Sequence, residues 1–358
     1  MQISYLGLEI RPLRGIGASR SNPSVPTEDC YTPMFKTIPK AVWSKPCFSR
    51  ALSALQTLAS YKNSPSYLGD ALAVDGSIPT VRLAFDKHSP KNTPVEAQAP
   101  LLILHGLFGS KSNTRTVAKQ LATKLSRDIY CLDLRNFGDS PHHPRLDYPA
   151  LAADVEKFID DARFEKKPIL VGHSMGAKTA MAVALRRPEL PGMVVSVDNA
   201  PIDLSTGSTS VFSKYVKLLR TSLEHHKYTN IKDVDSDLAA VEPRKEVRQF
   251  LLTNLNRGKT EEPITSRIPL DIIGDAIVAG KIAAWPYDCN VSRWTRGPAL
   301  FIRGTESGYI PDELIPDIGR YFPDFEVRDI KAGHWVISEK PKEFIEVLVE
   351  FIEREEDI

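Results

Sequence analysis

Pro168-Ile169-Leu170-Val171-Gly172-His173-Ser174-Met175-Gly176-Ala177-Lys178-Thr179-Ala180 is the stretch on which the fold and the chemistry both turn. Residues 168–171 form a short apolar run of the kind that fills a buried strand, and 177–187 carry a helical apolar pattern. Between them a serine is flanked by glycine two residues before and two residues after. A strand that turns at once into a helix holds such a serine in a strained backbone conformation with its hydroxyl projecting, and small flanking residues relieve the crowding. The G-x-S-x-G pattern alone is weak; the strand before it and the helix after it make Ser174 a candidate nucleophile.

Working outward, the same alternation repeats. Strands are expected at 101–104, 129–132, 168–171 and 193–197, with helices at 116–125, 151–164 and 177–187 between and around them. It resumes with strands at 299–303 and 325–330 and helices at 312–321 and 341–353. Strands alternating with helices of this length predict a mostly parallel sheet with helices on both faces. Upstream, 72–74 and 81–85 read as two strands joined by a hairpin turn at Asp75-Gly76. From about 203 to 296 the chain is helical and charged without a convincing strand, which predicts a helical cap inserted over the working edge of the sheet.

The remaining chemistry is sought in chain order. The loop His105-Gly106-Leu107 ends the strand at 101–104. The Leu107 amide can pair with that of Met175, at a helix N-terminus, to hold a developing oxyanion. His105 precedes the serine and is read as a structural loop histidine. In sheets of this kind the acid and then the histidine follow the nucleophile. Of His225, His226 and His334, the first two fall in the charged cap, whereas His334 sits in Gly333-His334-Trp335 directly after a strand. The acid is less determined. Asp198 follows the strand next to the serine's and is favoured. Glu306 and Asp312, after the strand at 299–303, remain as alternatives, because a serine, Ser307, stands where an Asp is commonly found.

These segments together resemble a known family. His105-Gly106-Leu107-Phe108-Gly109-Ser110-Lys111, Asp133-Leu134-Arg135-Asn136, Gly172–Lys178, Asp198-Asn199-Ala200-Pro201, the run from Val247 to Leu255 and Gly333-His334-Trp335 are similar to the mitochondrial AB-hydrolase-domain family. That family, within the alpha/beta-hydrolase superfamily, includes yeast ethanol acetyltransferases and small serine esterases. The resemblance spans about 72–352 and implies an alpha/beta-hydrolase fold with a triad of Ser174, Asp198 and His334. Its members take the acid from the Asp-Asn-x-Pro position, which is Asp198 here. Phe137 departs from the family, where many relatives carry His, and no role is assigned to it.

Composition bounds the rest. The 358 residues carry 46 Lys and Arg against 45 Asp and Glu, so no global basic field invites nucleic acid. The balance is uneven: residues 1–66 hold eight basic and three acidic side chains and are rich in serine. An Arg- and Ser-rich, acid-poor start predicts a transit peptide or disordered leader at 1–66, ahead of one catalytic domain at 67–358, and mitochondrial residence. The four cysteines are widely spaced and read as reduced thiols. His142-His143 lacks a carboxylate at ligand spacing, so no metal is expected, and no G-x-G-x-x-G or Walker motif is present, so no nucleotide cofactor is expected. No apolar run is long enough to span a membrane.

The expected reaction is cleavage of a small-molecule acyl ester or acyl-CoA thioester through an acyl-serine. The resemblance implies an alternative, transfer from acetyl-CoA to ethanol or another short-chain alcohol. A non-catalytic binding protein on the same fold is the reading from another class.

Overall fold

The computed structural model describes residues 70–91, 98–205, 211–256 and 262–357. The leader assigned to 1–66 lies outside them. A seven-stranded sheet is built from β1 (Phe85–His88), β2 (Leu101–Leu104), β3 (Ile129–Leu132), β4 (Ile169–His173), β5 (Met193–Val197), β8 (Ala299–Gly304) and β9 (Phe325–Ile330). Their order across the sheet is β1-β3-β2-β4-β5-β8-β9. Only β1 runs antiparallel to its neighbour. The mostly parallel α/β sheet expected from the alternation is the architecture found.

Period-two alternation sorts the strand side chains between two cores. Leu102, Leu104, Leu170, Val194 and Phe301 pack on one face with α2 (Tyr148–Ala162) and α3 (Met175–Arg186). Leu101, Ile103, Val171, Val195 and Ile302 pack on the other with α1 (Arg115–Lys124) and α8 (Pro341–Glu356). The chain leaves β2 towards β3 on one side and returns to β4 on the other. A crevice therefore opens beyond the carboxyl ends of β2 and β4, where open α/β sheets bind ligands.

The hairpin expected over 72–85 does not form. Asp75-Gly76 does turn, with the Ser77 amide bonded to Asp75 Oδ1, but no strand flanks it. The backbone instead bonds to distant side chains: the Val81 amide donates to Asp154 Oδ1 and the Ala84 amide to Ser140 Oγ. The only strand here, β1, starts at the last residue of the expected pair.

Between β5 and β8 lie α4 (Val211–Arg220), α5 (Ile231–Ala239), α6 (Lys245–Leu252) and α7 (Leu270–Val278). The segment also holds a two-residue ladder, β6 (Leu255–Asn256) with β7 (Thr265–Ser266), where no strand was expected. The insertion's buried apolar residues, including Leu219, Val234, Leu238 and Ile273, are continuous with the core on the α2 and α3 face of the sheet. Both of its ends are tied to α3 by one side chain. Lys178 Nζ, fully buried, donates to the carbonyls of Ile202, Ala283 and Ala284 at 2.8, 2.9 and 3.2 Å. Burial pulls its pKa down to about 7, against the favourable field of Asp203. Lys178→Met leaves the Ile202 and Ala284 carbonyls without a donor, while the Ala283 carbonyl keeps the Leu204 amide, and is expected to cost about 2 kcal/mol, read as a lowered urea midpoint. An unchanged midpoint would show that the tie contributes nothing to stability.

Candidate active site

Ser174 stands between β4 and α3 with φ 55° and ψ −115°, a left-handed backbone that a side-chain-bearing residue adopts only under constraint. The two glycines explain how the turn is possible. A Cβ at Gly172 would lie 2.1 Å from the Gly176 carbonyl oxygen, and one at Gly176 would lie 2.2 Å from that of Leu104. The Ser174 amide is held by the Val197 carbonyl at 3.0 Å.

His334 reaches back to this serine from the loop after β9. Its Nε2 lies 2.9 Å from Ser174 Oγ, and its Nδ1 lies 2.7 Å from Asp198 Oδ2. A carboxylate only accepts, so Nδ1 carries the proton and the Nε2 lone pair faces the serine hydroxyl. Asp198, at the end of β5, has no exposed surface and a positive φ of 53°. The Gly304 amide donates to its other oxygen at 3.0 Å. Asp198, not Glu306 or Asp312, meets the imidazole: the Glu306 side chain is exposed, and Asp312 pairs with Arg303. The arrangement is able to take a proton from the serine and to hold the resulting imidazolium.

The remaining sequence candidates take these places. Leu107 lines the cavity above Ser174, and Met175 opens α3; neither amide donates to a protein acceptor among the described residues. His105 is buried, with both ring nitrogens engaged by backbone: Nδ1 donates to the Gly106 carbonyl and Nε2 accepts from the Leu134 amide. Phe137, to which no role was assigned, packs its ring edge-on to His105. His225 and His226 lie on an exposed turn of the insertion, where His226 faces Asp237. His142 donates to the Arg267 carbonyl, and His143 accepts from the Arg145 amide. Among the described residues no cluster suits a metal ion, and no helix is long and apolar enough to cross a membrane.

Three contacts around His334 had no signal in the sequence. His173, the first of the two variable residues of the G-x-S-x-G turn, donates from Nε2 to the His334 carbonyl at 2.7 Å. Tyr309 lies flat on the imidazole, with ring centroids 3.8 Å apart and 13° between planes. Trp335 carries the Arg244 guanidinium of the insertion over its ring at 4.8 Å. Burial, and then the adjacent His334, push the His173 pKa down to about 4. Unfolding frees His173 to titrate near 6.5, so its contribution is fully present above that pH and is lost as pH falls towards 4. The loss is expected to reach about 2–3 kcal/mol. His173→Gln keeps a donor and removes the titration. Urea titrations at pH 7 and 4.5 should show the wild type losing more stability than the variant, and equal losses would refute the assignment.

The serine opens into a cavity of about 540 Å³. Its walls come from the β2 loop (Leu107, Phe108) and from the insertion (Phe212, Tyr215, Val247, Phe250, Leu251), with Arg244, Glu246 and Glu339 among its polar lining residues. Asn254 donates to the Phe108 carbonyl at 2.9 Å, which fixes the β2 loop against α6. Asp133 receives the Lys111 amide and ammonium and the Asp139 amide, bracing the same loop from behind.

A family model described as "alpha/beta hydrolase fold" matches residues 99–341. The chain belongs to the alpha/beta-hydrolase family. It is 46% identical over 270 residues to a Saccharomyces cerevisiae protein named "Probable alcohol acetyltransferase", covering 72% of this chain and 78% of that one. It is 37% identical over 258 residues to a Xenopus laevis protein named "sn-1-specific diacylglycerol lipase ABHD11", covering 71% and 80%. Among solved structures it is similar to a marine microorganism esterase, with a TM-score of 0.65, 32% identity and coverage of 76% and 99%. This hydrolase-fold chain is an enzyme of the hydrolase and acyltransferase kind.

Proposed function

We propose that this enzyme moves acyl groups from esters or thioesters through an acyl-enzyme on Ser174. The carrying observation is the line from Ser174 Oγ through His334 to buried Asp198, at 2.9 and 2.7 Å, beside a largely apolar cavity. His334 takes the serine proton as Oγ attacks the acyl carbon, and the Leu107 and Met175 amides receive the oxyanion. His334 then gives that proton to the leaving alcohol or thiol. In the second half it deprotonates water, the carboxylic acid leaves, and Ser174 recovers its proton. The esterase and the diacylglycerol lipase named among the relatives support an ester substrate.

A second reading rests on the relative named as an alcohol acetyltransferase. If a short-chain alcohol enters in place of water, the same groups make an ester. Acetyl-CoA and rising ethanol separate the two: ethyl acetate growing with ethanol at the expense of acetate supports transfer, and acetate alone ends it. A fluorophosphonate that fails to label wild-type protein, with Ser174→Ala as control, would leave a binding protein instead. We also place the protein in mitochondria, on the basic leader; import of the full chain into isolated mitochondria tests this, and a chain that stays outside would remove it.

A further inference from the structure

The loop after β8 touches both the acid and the base of this site. Thr305 and Glu306 donate their amides to the Ile330 and Ala332 carbonyls, which pins the loop to the end of β9. The loop then presents Ser307 to Asp198 and Tyr309 to His334. Ser307 Oγ lies 2.5 Å from Asp198 Oδ2, the same oxygen that receives His334 Nδ1 at 2.7 Å. The direction of this bond is determined. The Tyr309 amide donates to Ser307 Oγ at 3.3 Å and occupies a hydroxyl lone pair, while the carboxylate only accepts. The serine proton therefore points at Asp198.

We propose that Ser307 is a positioning residue that sets how strongly Asp198 holds the His334 imidazolium, by donating to the oxygen they share. The inference rests on the reading of Ser174, His334 and Asp198 as the catalytic groups. A hydrogen bond to a charged acceptor is short and strong, and it draws negative charge from the oxygen that receives it. With Ser307 in place, Oδ2 divides its charge between two donors and Oδ1 serves the Gly304 amide. Without it, Oδ2 serves His334 alone and favours the protonated ring more. Glu339, which accepts the Gly333 amide, and Arg244 and Glu246 of the insertion line the same cavity as His334. The titratable rings in contact with the imidazole among the described residues are His173, beside it, and Tyr309, stacked on it. Neither donates to Asp198 among the described residues, so neither replaces the lost bond.

The test is the pH dependence of kcat/KM on a p-nitrophenyl ester for wild type, Ser307→Ala and Ser307→Thr, with fluorophosphonate labelling of each. Ser307→Ala is expected to move the acidic limb upward by about 0.5–1 pH unit, the scale of one lost charge-assisted hydrogen bond. Ser307→Thr, which keeps the hydroxyl, is expected to restore the wild-type limb. A serine that only fills space would lower activity at every pH and leave the limb in place, and that result overturns the proposal. So does an unmoved limb with full activity. Absence of labelling and of turnover in the wild type would instead overturn the catalytic reading itself.

Discussion

Ser174→Ala is expected to lower kcat/KM on any accepted ester by about four orders of magnitude or more, with the fold unchanged. The size follows from what is removed. In the proposed reaction attack by Oγ is the covalent step, and among the described residues Ser174 supplies the hydroxyl that meets the His334 Nε2 lone pair, at 2.9 Å. The methyl group of alanine fits where the serine stood, because the side chain is already small and the turn is imposed by Gly172, Gly176 and the Val197 carbonyl. Relief of the left-handed strain is not available to alanine, so no gain in stability is expected. Steady-state turnover with an unfolding curve on the same sample separates lost chemistry from lost fold. A variant that keeps a tenth of wild-type activity would exclude Ser174 as nucleophile.

The second large effect is expected at Asp198. Asp198→Asn keeps the shape but places an amide against His334 Nδ1, so the imidazole turns its lone pair towards Asn and its N–H towards Ser174. A ring in that tautomer accepts no proton from the serine, and kcat is expected to fall by about 10³–10⁴-fold. Asn also loses the charge that receives the Gly304 amide and Ser307 hydroxyl. Glu306→Gln is the matched control. Its side chain is exposed, and activity within about twofold of wild type is expected there. Near-normal turnover in Asp198→Asn would transfer the acid's role elsewhere.

The parallel sheet and the helices that cover it were legible because both faces are buried and the strands read as apolar runs between helical patterns. The serine turn was legible for a local reason, since strand, glycines and helix all lie within about twenty residues. Asp198 was legible only in part: its place beside β4 followed from strand order, but the two loops after β5 and β8 both end near the histidine. What decided between them is spatial, with Asp198 turned inward and Glu306 outward. The start of α2 was missed although Asp147 accepts from the Ala150 amide and Pro149 follows it, a helix-start signal in plain sequence. The hairpin at 72–85 failed for the opposite reason. Its apolar residues suggested strands, yet its amides bond to Asp154 and Ser140, side chains 73 and 56 residues away. No local pattern contains that information. The same holds for His173, Ser307 and Tyr309, whose partners come from other strands' loops.

The run from Val247 to Leu255 shows how a motif noticed by resemblance acquires a physical meaning. Val247, Phe250 and Leu251 line the cavity, and Asn254 holds the β2 loop that carries Leu107. The insertion thus shapes the chamber in which an acyl chain would sit, and also braces the loop that would receive the oxyanion.

The central claim is that an acyl group passes through Ser174. Rapid acid quench of the enzyme with p-nitrophenyl acetate, followed by proteolysis and mass spectrometry, tests it most directly. One acetyl group on the peptide containing Ser174, absent from Ser174→Ala and accumulating in a burst, is the expected result. Steady release of acetate by the wild type with that peptide unmodified at every quench time, or with the acetyl group on another residue, would contradict it.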